Sequence, residues 1–287
     1  AVNPDVWVWG GDIIYADTED MQVLRKIYAA QNEVEGYKAL KSKVNIIGSW
    51  DDHDYGVNDG GVEFAAKKES QQEFLNFMGV PQESPRRSQE GIYTVHDYEV
   101  QQGKIKVIVL DTRYFRTAII EDAKTRRNIP NAYGEGTVLG ETQWQWLEET
   151  LTNSDADFNV IVSSIQLLSN EHGFETWGNF PHEVDRLKKM VGTSKANGVM
   201  VLSGDRHISE FSKVQVETVK YPLIDFTSSG LTHAYTKYSG EVNPFRVGNV
   251  VFTESFGVVH FNFENKSVTF EMRGNDGVIL EALQQQY

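Results

Sequence analysis

Five short apolar runs rich in β-branched residues, at 6–9, 44–47, 105–110, 159–162 and 199–202, limit what this chain can become. Each is too short for a helix and fits a strand buried on both faces. Helical patterns lie between them. Residues 19–28 carry Met21, Leu24, Ile27 and Tyr28; residues 142–151 carry Trp144, Leu147 and Leu151; residues 181–191 carry Val184, Leu187 and Val191. Apolar spacings of three and four turn one helical face inward. After Lys220 the chain reads as strands, at 250–252, 257–263, 268–272 and 278–282. A Gly-Asn-Asp-Gly stretch at 274–277 makes a hairpin turn before the last of them. Alternating strands and helices with a strand-rich C-terminal part predict an α/β fold, with a layered sheet core and no linker-like break.

Charge narrows the function. The formal net charge is −14 over 287 residues, which argues against a general affinity for nucleic acid, since that rests on basic stripes. An anionic substrate is also repelled unless local cations reverse the sign, and bound metals would do so. There is no cysteine, so disulfides and thiolate metal sites within this chain are excluded. No apolar run reaches transmembrane length and no signal peptide is found. The opening residues enter a strand almost at once and read as a start inside a fold.

The acids are placed where the strands end. Asp12 follows the first strand, Asp51, Asp52 and His53 the second, and Asp111 ends the third. Ser163, Ser164 and Gln166 follow the fourth, and Asp205 and His207 the fifth. Ligands of open α/β sheets bind beyond the carboxyl ends of the strands, so these groups can converge. In Gly10-Gly11-Asp12-Ile13-Ile14-Tyr15 the glycines allow a sharp turn that presents Asp12, with Tyr15 three residues on. A carboxylate can bridge two hard cations, and a phenolate is a strong ligand for ferric ion. A helix-capping Asp beside a packed Tyr is the plainer alternative. In Trp50-Asp51-Asp52-His53-Asp54 four consecutive titratable groups are costly to bury unpaired, and metal ligation resolves that cost. A solvated acidic turn is the alternative there. In Ser203-Gly204-Asp205-Arg206-His207 the acid and the imidazole are two apart, so on an extended stretch they face one side.

Together these elements resemble the calcineurin-like metallophosphoesterases, and more closely the PhoD-type alkaline phosphatases. The stretches that carry the resemblance are NPDVWVWGGDIIYAD (3–17), WDDHDYGVN (50–58), LDTRYFR (110–116), LGETQWQWL (139–147), VLSGDRHISE (201–210) and DFTSSGLTH (225–233). The resemblance implies a layered α/β/β/α sandwich, here as a single catalytic domain over 1–287. It implies that Asp12 bridges two metals, that Tyr15 and His207 bind the first, Fe(3+), and that Asp52 and Asp205 bind the second, Ca(2+). Gln166 stands near where related enzymes place a further ligand of the second metal. His53 is implied to lie beside the substrate. Members of the family are mostly exported, which implies a periplasmic or secreted location. These enzymes also carry a strand upstream of the position of Asn3 whose Cys binds the iron. The sequence is therefore expected to begin downstream of that strand, or to have lost that ligand.

The implied activity is hydrolysis of phosphate esters. Alternatives are a phosphodiesterase acting on teichoic acid, phospholipid or nucleotide diesters, and a non-catalytic cation-binding module. Arg113, two residues after Asp111, is expected to contact phosphate through its fork of donors, or else to form a structural ion pair. The loop 170–181, with His172, Trp177 and Phe180, is a candidate substrate lip, although packing is the simpler role for its aromatics. His96 and His260 lie in expected strands and read as structural, while His233 can approach the metals or support their loop.

Overall fold

The computed structural model describes residues 2–287. In chain order the strands are β1 Val6–Gly10, β2 Asn45–Ser49, β3 Thr94–Val100, β4 Gly103–Val109, β5 Ile120–Glu121, β6 Asn128–Ile129 and β7 Phe158–Val162. Then come β8 Val199–Ser203, β9 Ser209–Gln215, β10 Pro222–Ser228, β11 Arg246–Val251, β12 Ser255–Asn262, β13 Ser267–Gly274 and β14 Ile279–Gln286. The helices are α1 Met21–Glu33, α2 Glu35–Lys41, α3 Asp52–Tyr55, α4 Lys67–Phe77, α5 Gly140–Thr152 and α6 Pro181–Thr193.

A seven-stranded sheet of order β11-β9-β10-β8-β7-β4-β3 is the main layer. Its centre is parallel, through the pairs β4 with β7, β7 with β8 and β8 with β10. The strands β1 and β2 form a separate parallel pair, and β12-β13-β14 an antiparallel sheet.

Side-chain alternation along the strands makes four layers. Ile108 and Leu110 point to a core shared with Trp144 and Leu147 of α5 and with Leu187 and Val191 of α6. Val107 and Val109 point the other way, to a core shared with Ile47 of β2 and with Val268, Phe270 and Met272 of β13. In β1, Val6 and Val8 join that inner core, while Trp7 and Trp9 face a third core with Leu24 and Tyr28 of α1 and Phe74 of α4. The order is therefore helices, large sheet, two smaller sheets, helices, the sandwich that the resemblance implied. The hairpin turn at 274–277 is present, closed by Gly274 N–H donating to the Val278 carbonyl at 3.0 Å. Among the described residues no helix is long and apolar enough to cross a membrane.

Candidate metal centre

The loops after β1, β2, β7 and β8 meet at one edge of the sandwich, and two glycines let them touch. At Gly11, with φ +100°, an added Cβ would lie 2.4 Å from Asp51 Cβ. At Gly204 it would lie 2.7 Å from the carbonyl oxygen of Gly10. Neither position has room for a side chain. Four non-glycine residues in the same loops also hold left-handed backbone: Asp12 (φ 50°), Asp17 (φ 43°), Asp205 (φ 66°) and His207 (φ 53°). Such conformations cost free energy and concentrate at functional sites.

One oxygen from each of Asp12, Asp51, Asp52 and Asp205 lies within 4.8 Å of the others, and the same holds for Asp12, Asp52 and a His53 ring nitrogen. Tyr15 donates to Asp12 Oδ2 at 3.3 Å and lies 2.8 Å from His207 Nε2. The His233 ring packs 4.1 Å from that of Tyr15, so His233 belongs to the wall of the site. The expected residues Asp12, Tyr15, Asp52, His53, Asp205 and His207 are thus brought together.

Charge in this cluster is not balanced by the protein alone. Burial, and after it the neighbouring Asp52, raises the pKa of Asp12 even though His207 opposes the shift. Burial likewise holds Asp51 and Asp205 well above the ordinary carboxylate value. Burial also works against ionised Asp52, but Arg113, His53 and the N–H groups of Asp59 and His53 outweigh it and lower its pKa. Asp12 Oδ1 and Asp51 Oδ2 are buried without a hydrogen-bond partner. Orphaned buried oxygens are costly, and the usual resolutions are proton uptake or a cation. A hard cation fits this all-oxygen set. On the other side, burial and then Asp12 keep the Tyr15 hydroxyl protonated far above its ordinary range, so phenolate ligation there requires a strong cation.

Two of the expected residues make other contacts, and at Arg113 they are those of the ion-pair alternative. Arg113 is fully buried behind the cluster, where its Nε donates to Asp51 Oδ1 at 2.5 Å and its Nη1 pairs with Glu175 at 2.5 Å. Its fork is spent on carboxylates, so it positions Asp51 and does not reach a substrate. Gln166 is also fully buried, and its amide nitrogen donates to Glu210 and Thr227, each at 2.8 Å. Its Oε1 is buried without a partner, and no hydrogen bond ties Gln166 to the four acids of the cluster. Asp111 stays out of the cluster too. It accepts from the Trp50 indole at 3.0 Å and from the backbone of Ile92, Arg113 and Tyr114. Trp177 and Phe180 are core residues.

Other functional residues were not read from the sequence. Asp17 holds His53 Nδ1 at 2.8 Å and 2.9 Å, which orients the ring and leaves Nε2 free. Burial alone would lower the pKa of His53, but Asp52, Asp12 and Asp17 together raise it. Asp51 was passed over for its neighbour Asp52, yet both enter the cluster. Ser164 donates to Asp51 Oδ1 at 2.6 Å, and Asp54 accepts from the N–H of Asp51 at 2.5 Å and of Ile13 at 3.3 Å. Asp17 had a signal in sequence: it shares the loop of Asp12 and Tyr15.

Comparison with known proteins finds a family and a fold that the chain matches. A family model described as PhoD-like phosphatase matches residues 1–275. Alkaline phosphatase D of Bacillus subtilis (strain 168) is 30% identical over 124 residues, covering 39% of this chain and 21% of that protein. A solved structure described as that of PhoD superposes with a TM-score of 0.78 at 19% identity, covering 99% of this chain and 63% of that one. The chain therefore spans less than two thirds of the length of these relatives, and the superposition speaks for the fold.

Proposed function

This chain belongs to the PhoD-like phosphatase family, and from that premise we propose that it hydrolyses phosphate esters at a site holding two metal ions. The observation that carries the reading is the acid cluster, with Asp12 Oδ1 and Asp51 Oδ2 buried and unpartnered. Asp12 lies between two donor sets and is assigned as the bridge. Tyr15 and His207, a phenol and an imidazole, suit ferric iron; Asp52 and Asp205 suit calcium. Asp51 turns its free oxygen to the same cluster and adds to the second set. When bound, such a pair of cations neutralises phosphoryl oxygens and acidifies water.

The remaining chemistry belongs to side chains. Asp17 accepts from His53 Nδ1 and fixes the ring, so a protonated His53 can donate to the departing oxygen. Arg113, paired with Asp51 and Glu175, holds the Asp51 carboxylate in place. No side chain is assigned as a phosphorylated intermediate. A non-catalytic cation-binding role fits less well, since a calcium-only module needs neither Tyr15 nor His207.

Diesters are a second reading, supported by space beside the cluster. A cavity of about 240 Å³ is lined by Arg127, Phe174, Tyr235 and Tyr238. Its wall is tied to the cluster through the backbone, since Tyr235 N–H donates to the His207 carbonyl at 2.8 Å. A second substituent on phosphorus directed toward Tyr235 would be received there. An exported location accompanies the family assignment as part of the proposal.

The test is hydrolysis of a nitrophenyl monoester and a bis-nitrophenyl diester by protein loaded with calcium and iron, against an Asp12→Asn variant. Activity on at least one ester, with a loss of at least about a thousandfold in the variant, is expected. Equal rates in the two proteins would overturn the assignment.

A further inference from the structure

A second cavity, of about 260 Å³, lies near the start of β2, where β2 meets β3 and the loop after α4. Both strands are edges: β2 pairs only with β1, and β3 closes one end of the large sheet. The cavity runs along Asn45–Gly48 of β2, and none of Asp12, Asp51, Asp52 and Asp205 lines it. It is thus distinct from the metal centre.

Its polar wall is cationic. Arg86 lines it with Nε buried and lacking an acceptor, and Nη2 donates to the Ile92 carbonyl at 3.1 Å. Burial and the adjacent Arg87 push the Arg86 pKa down to about 10, with no carboxylate to oppose them. The sequence has 41 acidic residues against 27 Lys and Arg, so a largely buried guanidinium without a carboxylate is not for want of acids. Arg87 next to it shows the contrast, since its donors reach Pro81 O at 3.1 Å and Asn76 Oδ1 at 2.9 Å. His96 shares the cavity; burial and then Arg86 push its pKa down to about 4, so its ring is a neutral donor and acceptor. The opposite wall is apolar: Ile46, Met78, Val80 and Pro81. A buried N–H without an acceptor is costly, and a planar oxyanion answers the guanidinium fork two donors at a time.

We propose that this cavity binds a small organic anion, its carboxylate or phosphate head on Arg86 and His96 and its short apolar body against Ile46, Met78, Val80 and Pro81. The volume is below the usual range for drug-sized ligands, which sets the scale at a handful of heavy atoms and leaves out macromolecular partners. A cation is disfavoured by Arg86.

The experiment is calorimetric titration with butyrate, butyl phosphate and inorganic phosphate, done on the native protein and on Asp12→Asn, in which phosphate binding at the metal centre is lost. The ring signals of His96, assigned with His96→Gln, are followed in parallel. Saturable binding of butyrate or butyl phosphate to both proteins is expected, with the His96 signals moving at the same ligand concentration. The tighter of the two names the source of the head group. Arg86→Met should weaken it about ten- to a hundredfold. Should that variant unfold, Val80→Glu supplies an internal carboxylate to Arg86 and should abolish binding. No saturation by about 10 mM, inorganic phosphate binding as tightly as both organic anions, or unchanged affinity in a folded variant would each overturn the proposal.

Discussion

Asp51 and Asp52 are neighbours with the same side chain, yet their surroundings shift them in opposite directions. Burial dominates at Asp51, whereas at Asp52 the donated N–H groups and nearby cations prevail. No pattern of residue types distinguishes the two, because the distinction lies in what folds back onto them. The choice at Arg113 between phosphate and an ion pair was open for the same reason: its partners are 62 positions away in either direction. Removing it tests the ion-pair role. Arg113→Met should destabilise the fold by about 3–5 kcal/mol, the usual result of leaving a buried carboxylate, here Asp51, without its cation, while Glu175 keeps Arg116. Denaturant unfolding measures this; an unchanged midpoint would contradict the buried triad. At His53 the prediction is kinetic. A nitrophenolate leaves without help and an alkoxide does not, so His53→Gln should slow alkyl esters by about 10²–10⁴-fold more than nitrophenyl esters. Metal content should hold. Equal losses on both, with metal released, would make the ring a ligand instead.

At the scale of elements, the buried parallel strands and the helices α1, α5 and α6 were legible because their apolar periods are clean. The ranges shifted by a few residues at the ends, as at 19–28 against the observed Met21–Glu33. The element α4 was not read. It buries Ser70, Gln71 and Glu73 along with Phe74; Ser70 donates to the Tyr55 carbonyl at 2.6 Å, Gln71 to backbone carbonyls, and Glu73 accepts from the Arg25 side chain. A polar buried face has no hydrophobic period. The strands β9 and β10 were hidden in the same way: Ser203, Glu210, Asp225 and Thr227 lie buried in one hydrogen-bonded network with Gln166. In the loop after β7, His172 is buried, and burial followed by Arg206 pushes its pKa down to about 3 from an ordinary 6.5. The folded state therefore binds fewer protons there than the unfolded state. The neutral ring costs nothing above the ordinary value, and stability is lost as pH falls from 6.5 toward 3. Between about pH 6.5 and pH 5 the loss should approach about 1.4 kcal/mol per unit from this group. His172→Phe should flatten that dependence in denaturant unfolding across the range, leaving the parallel contribution of His96. An identical slope in both proteins would show that His172 is not held neutral.

For the whole molecule, the alternation of strands and helices predicted a layered α/β core, and strand ends carrying acids predicted the edge at which chemistry gathers; the four-layer sandwich came from the resemblance. The sandwich follows from alternation: odd and even residues of β1 and β4 feed different cores, so four layers are required to cover them. The convergence follows from parallel strands sharing a carboxyl end. The buried supports were not legible, since Ser164 and Glu175 acquire their meaning only through contacts distant in sequence. All of this arrangement serves one claim, that the acid cluster is a cation site for phosphoester hydrolysis. It is tested by stripping the protein exhaustively with chelator, then measuring nitrophenyl phosphate hydrolysis and bound metal together during readdition. The account predicts a silent stripped protein, restored more fully by calcium with iron than by magnesium, and activity that rises with occupancy toward two ions per chain. Full activity in the metal-free protein would contradict it.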